Sequence, residues 1–183
     1  MHPTLLRPSD TVIVAIDLQP TFLGVIHDAD RVLSSVRLLL QSAAILGVPV
    51  IATTQNAARL GGIDETVAAL LVDAPVVDKM VFSAARSDEF AGFLAGYGCR
   101  QVVLCGVETH ICVTQTALDL IDSGYQVHIA VDACSSRSME KHKLGMERLR
   151  DNGAQPIATE AAVYELLGEA GTPAFKQILP LVK

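Results

Sequence analysis

The sequence predicts an α/β fold, a single-domain, three-layer Rossmann-like arrangement with a mostly parallel six-stranded sheet and helices on both faces. Three observations predict it. Short apolar runs alternate with segments of helical periodicity along the whole chain. The runs are continuously apolar and rich in β-branched residues, which is typical of parallel strands buried on both faces. The length of 183 residues fits one domain, here 1–183, and 50% of the residues are hydrophobic.

The first half of the chain contains three predicted strands separated by helices. The run TVIVAI is continuous and β-branched, as expected of a buried strand. In the helix that follows, Gly47 suits the C-terminal cap and Pro49 prevents continuation. The predicted elements are a strand at 11–16, a helix from Asp30 to Gly47, a strand at 48–53, a loop at 54–62, a short helix around 64–71 and a strand at 74–79.

The second half repeats this alternation three times. Ser87 is a suitable N-cap, and the acids after it favour the positive end of a helix. The predicted elements are a helix from Ser87 to Gly98, a strand at 101–106, a helix at about 112–123, a strand at 126–131, a helix at 138–152, a strand at 155–159 and a helix capped by Thr159 that ends at Leu167. The motif-bearing core is therefore about 11–167, and the tail 168–183 is expected to dock on a partner or to fray.

Composition excludes several classes of protein. The net charge of -6 and the 4% of aromatic residues argue against a nucleic-acid binder, which needs a basic face or stacking rings. No apolar run reaches the roughly 18 to 20 residues of a membrane span. The N-terminal stretch has no apolar region typical of a secretory signal, so we expect a cytoplasmic protein with reduced cysteines.

Polar side chains follow three of the predicted strands. Asp17 comes directly after the first strand, Lys79 after the third, and the segment 108–112 after the fourth. Ligands of such sheets bind beyond the carboxyl ends of the strands. A positive neighbour or a helix N-terminus lowers the pKa of a thiol from about 8.5, so we expect Lys79 and the helix start to lower that of Cys112. Taken singly, each residue also has a structural interpretation: Cys112 as a packed core residue, Asp17 as a helix cap, and Lys79 as a solvated surface residue.

Four segments resemble the isochorismatase-like cysteine hydrolase family, which includes nicotinamidases and N-carbamoylsarcosine amidohydrolases. The likeness runs from about Thr11 to Glu165 and is to the isochorismatase-domain-containing subgroup rather than to true nicotinamidases. The segments are AIDLQPTF (15–22), Lys79 with Phe82 and Ser83, CGVETHICVTQTALD (105–119) and GYQVHIAVDACSSRS (124–138).

The resemblance implies a role for each matched residue. Cys112 corresponds to the nucleophile, Asp17 to the general base and acid, and Lys79 to the residue that stabilises the thiolate. It also implies a cis peptide bond between Val107 and Glu108, and an oxyanion hole formed by the backbone N–H groups of Glu108 and Cys112. Positions that match the family's substrate pocket or the turn beside it are Gln19, Phe22, Gln55, Phe82, Thr109 and His110.

The chain departs from nicotinamidases where those enzymes carry an Asp-x-His metal pair. Here the stretch reads Gln55-Asn56-Ala57, which offers neither carboxylate nor imidazole. We therefore predict no metal and no cofactor. His110 is expected either to contact substrate or to satisfy a loop. Arg59 and Arg137 remain open as contacts to an anionic substrate, with a loop salt bridge as the other interpretation of Arg137.

The remaining histidines and cysteines are assigned to structure. His128 falls within a strand and is expected to be a satisfied core or interface residue, whereas His27 and His142 are expected at the surface. The other three cysteines are expected to pack in the interior, namely Cys99, Cys105 and Cys134.

The function these residues favour is hydrolysis of a small amide-type substrate through a thioester on Cys112. One alternative is vinyl-ether hydrolysis, as in isochorismatase, which does not use the cysteine in this way. Another is a non-catalytic interaction protein with a vestigial site. A dinucleotide-binding module is disfavoured because no G-x-G-x-x-G follows the first strand. The apolar composition and the resemblance together predict a homo-oligomer, a dimer or larger.

Overall fold

The computed structural model describes residues 2–183, which contain a six-stranded sheet in the order β3-β2-β1-β4-β5-β6. Every neighbouring pair of strands is parallel. The α/β prediction is therefore confirmed. The strands are β1 (Thr11–Ile16), β2 (Val50–Gln55), β3 (Val76–Lys79), β4 (Gln101–Val107), β5 (Gln126–Ser135) and β6 (Gln155–Ile157).

The helices connect successive strands and cover both faces of the sheet. One face packs on α2, α4, α8 and α9, and the other on α5, α6 and α7. No helix between residues 2 and 183 combines the length and apolar character needed to cross a bilayer. The helices are α1 (Pro20–Leu23), α2 (Ala29–Leu46), α3 (Ala57–Leu60), α4 (Glu65–Ala68), α5 (Asp88–Tyr97), α6 (Thr114–Asp122), α7 (Met139–Asp151), α8 (Thr159–Leu167) and α9 (Pro173–Val182).

Strand β1 is the centre of the core, and all six of its residues are buried. Ile13 and Ala15 face the layer that contains α2, while Val12 and Val14 face the layer that contains α5. Burial on both sides explains why the run is continuously apolar rather than alternating.

The chain changes direction across the sheet between β1 and β4. From β1 it builds outward through β2 to β3, and it then returns to pair β4 with the free side of β1. The connections after β1 and β4 therefore diverge, which opens a crevice at their carboxyl ends. Asp17 and Glu108, the residues that follow these two strands, lie on either side of this crevice.

Four local predictions need correction. The tail does not fray: α9 buries Ile178 against the core, in contact with α2. Thr159 is the first residue of α8 rather than its cap. Its hydroxyl and backbone N–H both donate to Asp132, so the hydroxyl does not cap the helix. Strand β5 continues beyond 131 to Ser135 through an irregularity in its pairing with β4. The predicted loop 54–62 contains the short helix α3.

Candidate active site

A buried ion pair lies at the carboxyl ends of β1 and β3. The Nζ atom of Lys79 is 2.8 Å from Oδ2 of Asp17, and both side chains are at most 1% exposed. Lys79 also donates to Oε1 of Gln55 at 2.8 Å. Two charges removed from water are costly unless they are paired and hydrogen-bonded, so these three side chains form one fixed unit.

Thr53, within β2, holds the Asp17 carboxylate through its other oxygen. Its hydroxyl donates to Oδ1 of Asp17 at 2.7 Å, and its carbonyl accepts from the Asp17 N–H at 3.1 Å. Asp17 has a left-handed φ of 50°, a conformation that aspartate tolerates better than most residues. The sequence analysis predicted no role for Thr53. The available signal was a hydroxyl in β2, the strand that pairs with β1 next to Asp17.

Cys112 lies beside this pair on a turn of π-helix, Thr109–Val113, which precedes α6. It is 7% exposed, and the charges of Asp17 and Lys79 both act on its thiol. Burial, followed by the charge of Asp17, raises the pKa of Cys112 to about 12, while Lys79 acts in the opposite direction. The prediction of a lowered pKa is therefore wrong, because burial and Asp17 outweigh the ammonium.

The backbone around Cys112 turns sharply after β4. The peptide bond between Val107 and Glu108 is cis, as the family resemblance implied. The carbonyl of Glu108 accepts hydrogen bonds from the N–H groups of Ile111 and Val113, on either side of Cys112. The hydroxyl of Thr114 donates to the Thr109 carbonyl at 2.5 Å. The turn is thus fixed by its own hydrogen bonds.

A cavity of about 150 Å³ opens above the thiol. Phe22 and Phe82 line it, and Phe82 is 55% exposed. Most of the surface of its wall is apolar. The lining residues are Asp17, Phe22, Gln55, Phe82, Val107, Glu108, Ile111, Cys112 and Arg137.

An exposed arginine pairs with a buried glutamate at the rim of this cavity. The Nε atom of Arg137 donates to Oε2 of Glu108 at 3.1 Å, and the backbone N–H of Arg137 donates to the same oxygen at 2.8 Å. Burial alone would raise the pKa of Glu108, but hydrogen bonds and charge from Arg137 outweigh it and hold that pKa below its usual range. Arg137 therefore makes the predicted loop salt bridge and also lines the cavity.

The predicted substrate-binding residues divide into two groups. Phe22, Gln55 and Phe82 line the cavity. Gln19 does not, because its amide is fully used on backbone: it donates to the carbonyls of Gln55 and Gly61 and accepts from the Gln55 N–H.

Thr109 and His110 also lie outside the lining and instead support the turn. The Thr109 hydroxyl is 2.9 Å from Nδ1 of His142, and Nδ1 of His110 is 2.9 Å from the Ser136 hydroxyl. For His110 the loop-satisfying interpretation is thus favoured. Arg59 is exposed on α3 and does not line the cavity.

His142 is buried, which corrects the prediction that it lies at the surface. It is covered because α7 packs closely on the turn: a Cβ at Gly145 would lie only 3.0 Å from the Cα of His110. Burial lowers the pKa of His142, with further contributions from Arg31 and His27. Burial therefore favours the neutral form of the imidazole beside Thr109.

The other structural assignments mostly hold. Cys99, Cys105 and Cys134 are buried and unpaired, as expected for packing residues, and His27 is exposed. His128 is buried in β5, but its Nε2 atom has no hydrogen-bond partner within residues 2–183, so it is not the satisfied histidine that we expected.

Gln55 occupies the position where a metal ligand would be needed, but both ends of its amide are used. Its oxygen accepts from Lys79, and its nitrogen donates to the Met80 carbonyl at 3.0 Å. Across the part of the chain that the structure describes, no three His, Cys, Asp or Glu side chains could together hold a metal ion. The absence of a metal and of a cofactor stays a prediction.

Comparison with known proteins gives one family match and close sequence relatives. Residues 11–161 match the family described as isochorismatase domain. The secreted isochorismatase effector Isc1 of Phytophthora sojae is 38% identical over 182 residues, covering 97% of this chain and 87% of that protein. Isochorismatase domain-containing protein 1 of Danio rerio is also 38% identical over 97% of this chain, which spans 62% of the length of that protein.

Solved structures share the fold over nearly the whole chain. A structure named MAR1 ribonuclease from Caenorhabditis elegans has a TM-score of 0.92 and 31% identity, covering 97% of this chain and 91% of that one. The YcaC gene product of Escherichia coli, described as an octameric hydrolase of unknown specificity, has a TM-score of 0.90, covering 96% of this chain and 89% of that one. At 22% identity, this structure shows only that the fold is similar.

Proposed function

This chain belongs to the isochorismatase domain family, and on that premise we propose that it hydrolyses a small amide-type substrate with Cys112, Asp17 and Lys79. The observation that carries the proposal is the buried Asp17–Lys79 pair, 2.8 Å apart, beside a thiol at the base of a cavity. A nucleophile, a proton acceptor and a group that holds the acceptor in place together suffice for nucleophilic acyl transfer.

In the first step Asp17 accepts the thiol proton while the sulfur of Cys112 attacks the carbonyl carbon. The electron pair of the carbonyl bond moves to oxygen, where the N–H groups of Glu108 and Cys112 stabilise the charge. A pKa of about 12 means that the resting sulfur keeps its proton at neutral pH. Proton transfer to Asp17 therefore accompanies attack rather than preceding it.

In the second step the oxyanion collapses and the C–N bond breaks. Asp17 gives its proton to the leaving nitrogen, which departs as ammonia or an amine and leaves a thioester on Cys112. Asp17 then takes a proton from water as the water oxygen attacks the thioester carbonyl. The carboxylic acid leaves, and the sulfur regains the proton. Lys79 keeps Asp17 in place throughout, since it donates to the same carboxylate.

Vinyl-ether hydrolysis is the second candidate, because a relative 38% identical to this chain is named an isochorismatase effector. In that reaction an acid protonates the substrate and water completes the cleavage. Asp17 would supply the proton, and no bond to sulfur would form. The two reactions therefore place different demands on Cys112.

Replacing Cys112 separates the two candidates. The substrates are a panel of small carboxamides and isochorismate, tested with the unmodified chain, Cys112→Ala and Asp17→Asn. For amide hydrolysis we expect Cys112→Ala to lose turnover by on the order of a thousandfold or more, with folding checked by circular dichroism. Amide turnover that survives in Cys112→Ala would refute the thioester scheme. Isochorismate turnover that needs Asp17 but not Cys112 would establish the second candidate.

We propose a small molecule rather than a nucleic acid as substrate, although the C. elegans structure is named a ribonuclease. The net charge is -6, and Arg137, the cation in the cavity lining, is paired with Glu108. Phosphate binding needs unpaired cations and weakens steeply with salt. Salt-dependent retention on single-stranded RNA would contradict this proposal.

A further inference from the structure

We infer that the cavity above Cys112 selects uncharged amides with a small apolar acyl group and rejects substrates that carry a carboxylate. This inference rests on the proposed function and names its substrate class. Isochorismate carries carboxylates, so this inference argues against taking it as the substrate of this chain on the strength of the family name.

The first support is the character of the wall. Four apolar side chains line the cavity, and they surround the space that the acyl group of a substrate would occupy; they are Phe22, Phe82, Val107 and Ile111. A charged group placed there would lose its hydration and gain no partner from these side chains, which is costly. A methyl or methylene group would be stabilised by the same contacts.

The second support is that both cations near the thiol are already paired. Lys79 donates to Asp17 and to Gln55, each at 2.8 Å, and its side chain is fully buried. Arg137 contacts both carboxylate oxygens of Glu108. A substrate carboxylate would have to compete with Glu108 for Arg137, and weakening that pair would leave a buried carboxylate less well compensated.

The third support is the balance of the charges around the cavity. Its lining contains the carboxylates of Asp17 and Glu108, which are paired with Lys79 and Arg137, so the four charges cancel. An incoming anion would therefore find no net attraction to offset the loss of its hydration in a site of low polarity. An uncharged amide loses less hydration, and in the proposed mechanism the N–H groups of Glu108 and Cys112 bind its oxygen.

Size restricts the class further. The cavity holds about 150 Å³, against roughly 300–1,000 Å³ for sites that enclose drug-sized ligands. Short aliphatic carboxamides fit this volume. Their hydrolysis yields a short carboxylate, the kind of anion that the same lining disfavours, so product release is assisted.

Iodoacetamide and iodoacetate test the inference even while the physiological substrate is unidentified. The two reagents are nearly equal in size and differ in charge, and each alkylates sulfur with loss of iodide. The measurement is the rate of Cys112 modification by each reagent at pH 9, read by peptide mass spectrometry. The reference is the ratio of the two rates for an uncharged small thiol, N-acetylcysteinamide.

We expect the preference of Cys112 for iodoacetamide over iodoacetate to exceed the reference ratio by about tenfold or more. In Glu108→Gln, which removes one carboxylate and leaves Arg137 unpaired, we expect the preference to fall by about threefold or more. Butanamide and succinamate, a matched neutral and anionic pair of amides, should show the same order in turnover.

A ratio at Cys112 equal to or below the reference would overturn the inference and leave the nucleophile in place. The proposed function fails differently: Cys112→Ala would then keep the amide turnover of the unmodified chain, whatever the alkylation ratio. The alkylation ratio of the unmodified chain and the turnover of Cys112→Ala are separate readouts, and neither depends on the folding of Glu108→Gln.

Discussion

At the scale of single residues, Cys112 is governed by two neighbours of opposite charge. Asp17 disfavours the thiolate and Lys79 favours it, but burial is the larger influence and raises the pKa to about 12. In the mechanism we propose, the carboxylate that raises the pKa of Cys112 also accepts its proton. Loss of Asp17 should therefore speed the alkylation of Cys112 in the resting protein and abolish amide turnover.

We predict that Asp17→Asn increases alkylation of Cys112 by iodoacetamide about threefold to tenfold at pH 8, because the thiolate loses a repelling charge. Lys79→Ala should decrease it by a similar factor. In the unmodified chain the rate should rise with pH from 7 to 10 without a plateau, as a pKa of about 12 requires.

Asp28→Asn is the matched control for this series, since Asp28 is also aspartate in a left-handed conformation but lies at the surface. It should leave the rate unchanged. Amide turnover in Asp17→Asn should be lost even though alkylation is faster. Slower alkylation in Asp17→Asn would contradict the assignment of Asp17 as the group that opposes the thiolate.

The sequence placed the three central residues well and their surroundings poorly. Asp17, Lys79 and Cys112 could be predicted together because each lies at or after the carboxyl end of a strand of one parallel sheet, and such strands end at a common edge. Gln19 and Thr109 were expected to meet substrate, but both bond to the protein itself. Such partners come from segments distant in sequence, and local patterns do not specify them.

At the scale of elements, the approach of β1 to β4 depends on one glycine. Gly106 has a φ of +112°, and a Cβ there would lie 2.1 Å from the carbonyl oxygen of Ile16. The residue directly after Ile16 is Asp17, and the one two positions after Gly106 is Glu108. The close contact between backbones thus fixes the separation of the two sides of the crevice.

We predict that Gly106→Ala destabilises the chain by about 3 kcal/mol or more, since it combines an unfavourable backbone conformation with overpacking against backbone. Chemical denaturation measures this change in the free energy of unfolding. Gly92→Ala, an exposed glycine inside α5 with no atom near the added Cβ, is the control and should stabilise by about 0.5–1 kcal/mol. A loss below 1 kcal/mol for Gly106→Ala would show that the strands can separate at low cost.

Elements with strong periodic or continuous patterns were predictable, and irregular ones were not. The six strands follow from six apolar runs, and Gly47 marks the end of α2 as expected. The π-helical turn before α6 has no such pattern, because it is fixed by hydrogen bonds from Ile111, Val113 and Thr114. Helix α9 begins at Pro173 and contains Pro180, a residue that usually argues against a helix interior.

At the scale of the whole molecule, the C-terminal tail closes one face of the core. Helix α9 packs on α2 and α8, and Ile178 is 1% exposed. The tail therefore covers apolar surface of its own chain. Assembly into a homo-oligomer stays a prediction, as does a cytoplasmic location.

We predict that Ile178→Ala lowers the free energy of unfolding by about 2 kcal/mol, the low end for a buried isoleucine, because a terminal helix can adjust to the smaller side chain. Lys176→Ala, an exposed position on the same helix, should change it by less than about 0.5 kcal/mol. Equal effects of the two substitutions in thermal denaturation would mean that α9 is not docked in solution.

The burial of Cys112 also bears on how the protein withstands oxidants. Peroxide attacks the thiolate, and sulfenic acid forms most readily on exposed cysteines of low pKa. With a pKa of about 12 and 7% exposure, the resting sulfur offers peroxide little to attack. In the mechanism we propose, the electron-rich sulfur arises only while a substrate fills the cavity and Asp17 holds the proton. Protection from oxidation would then need no disulfide and would lapse only during turnover.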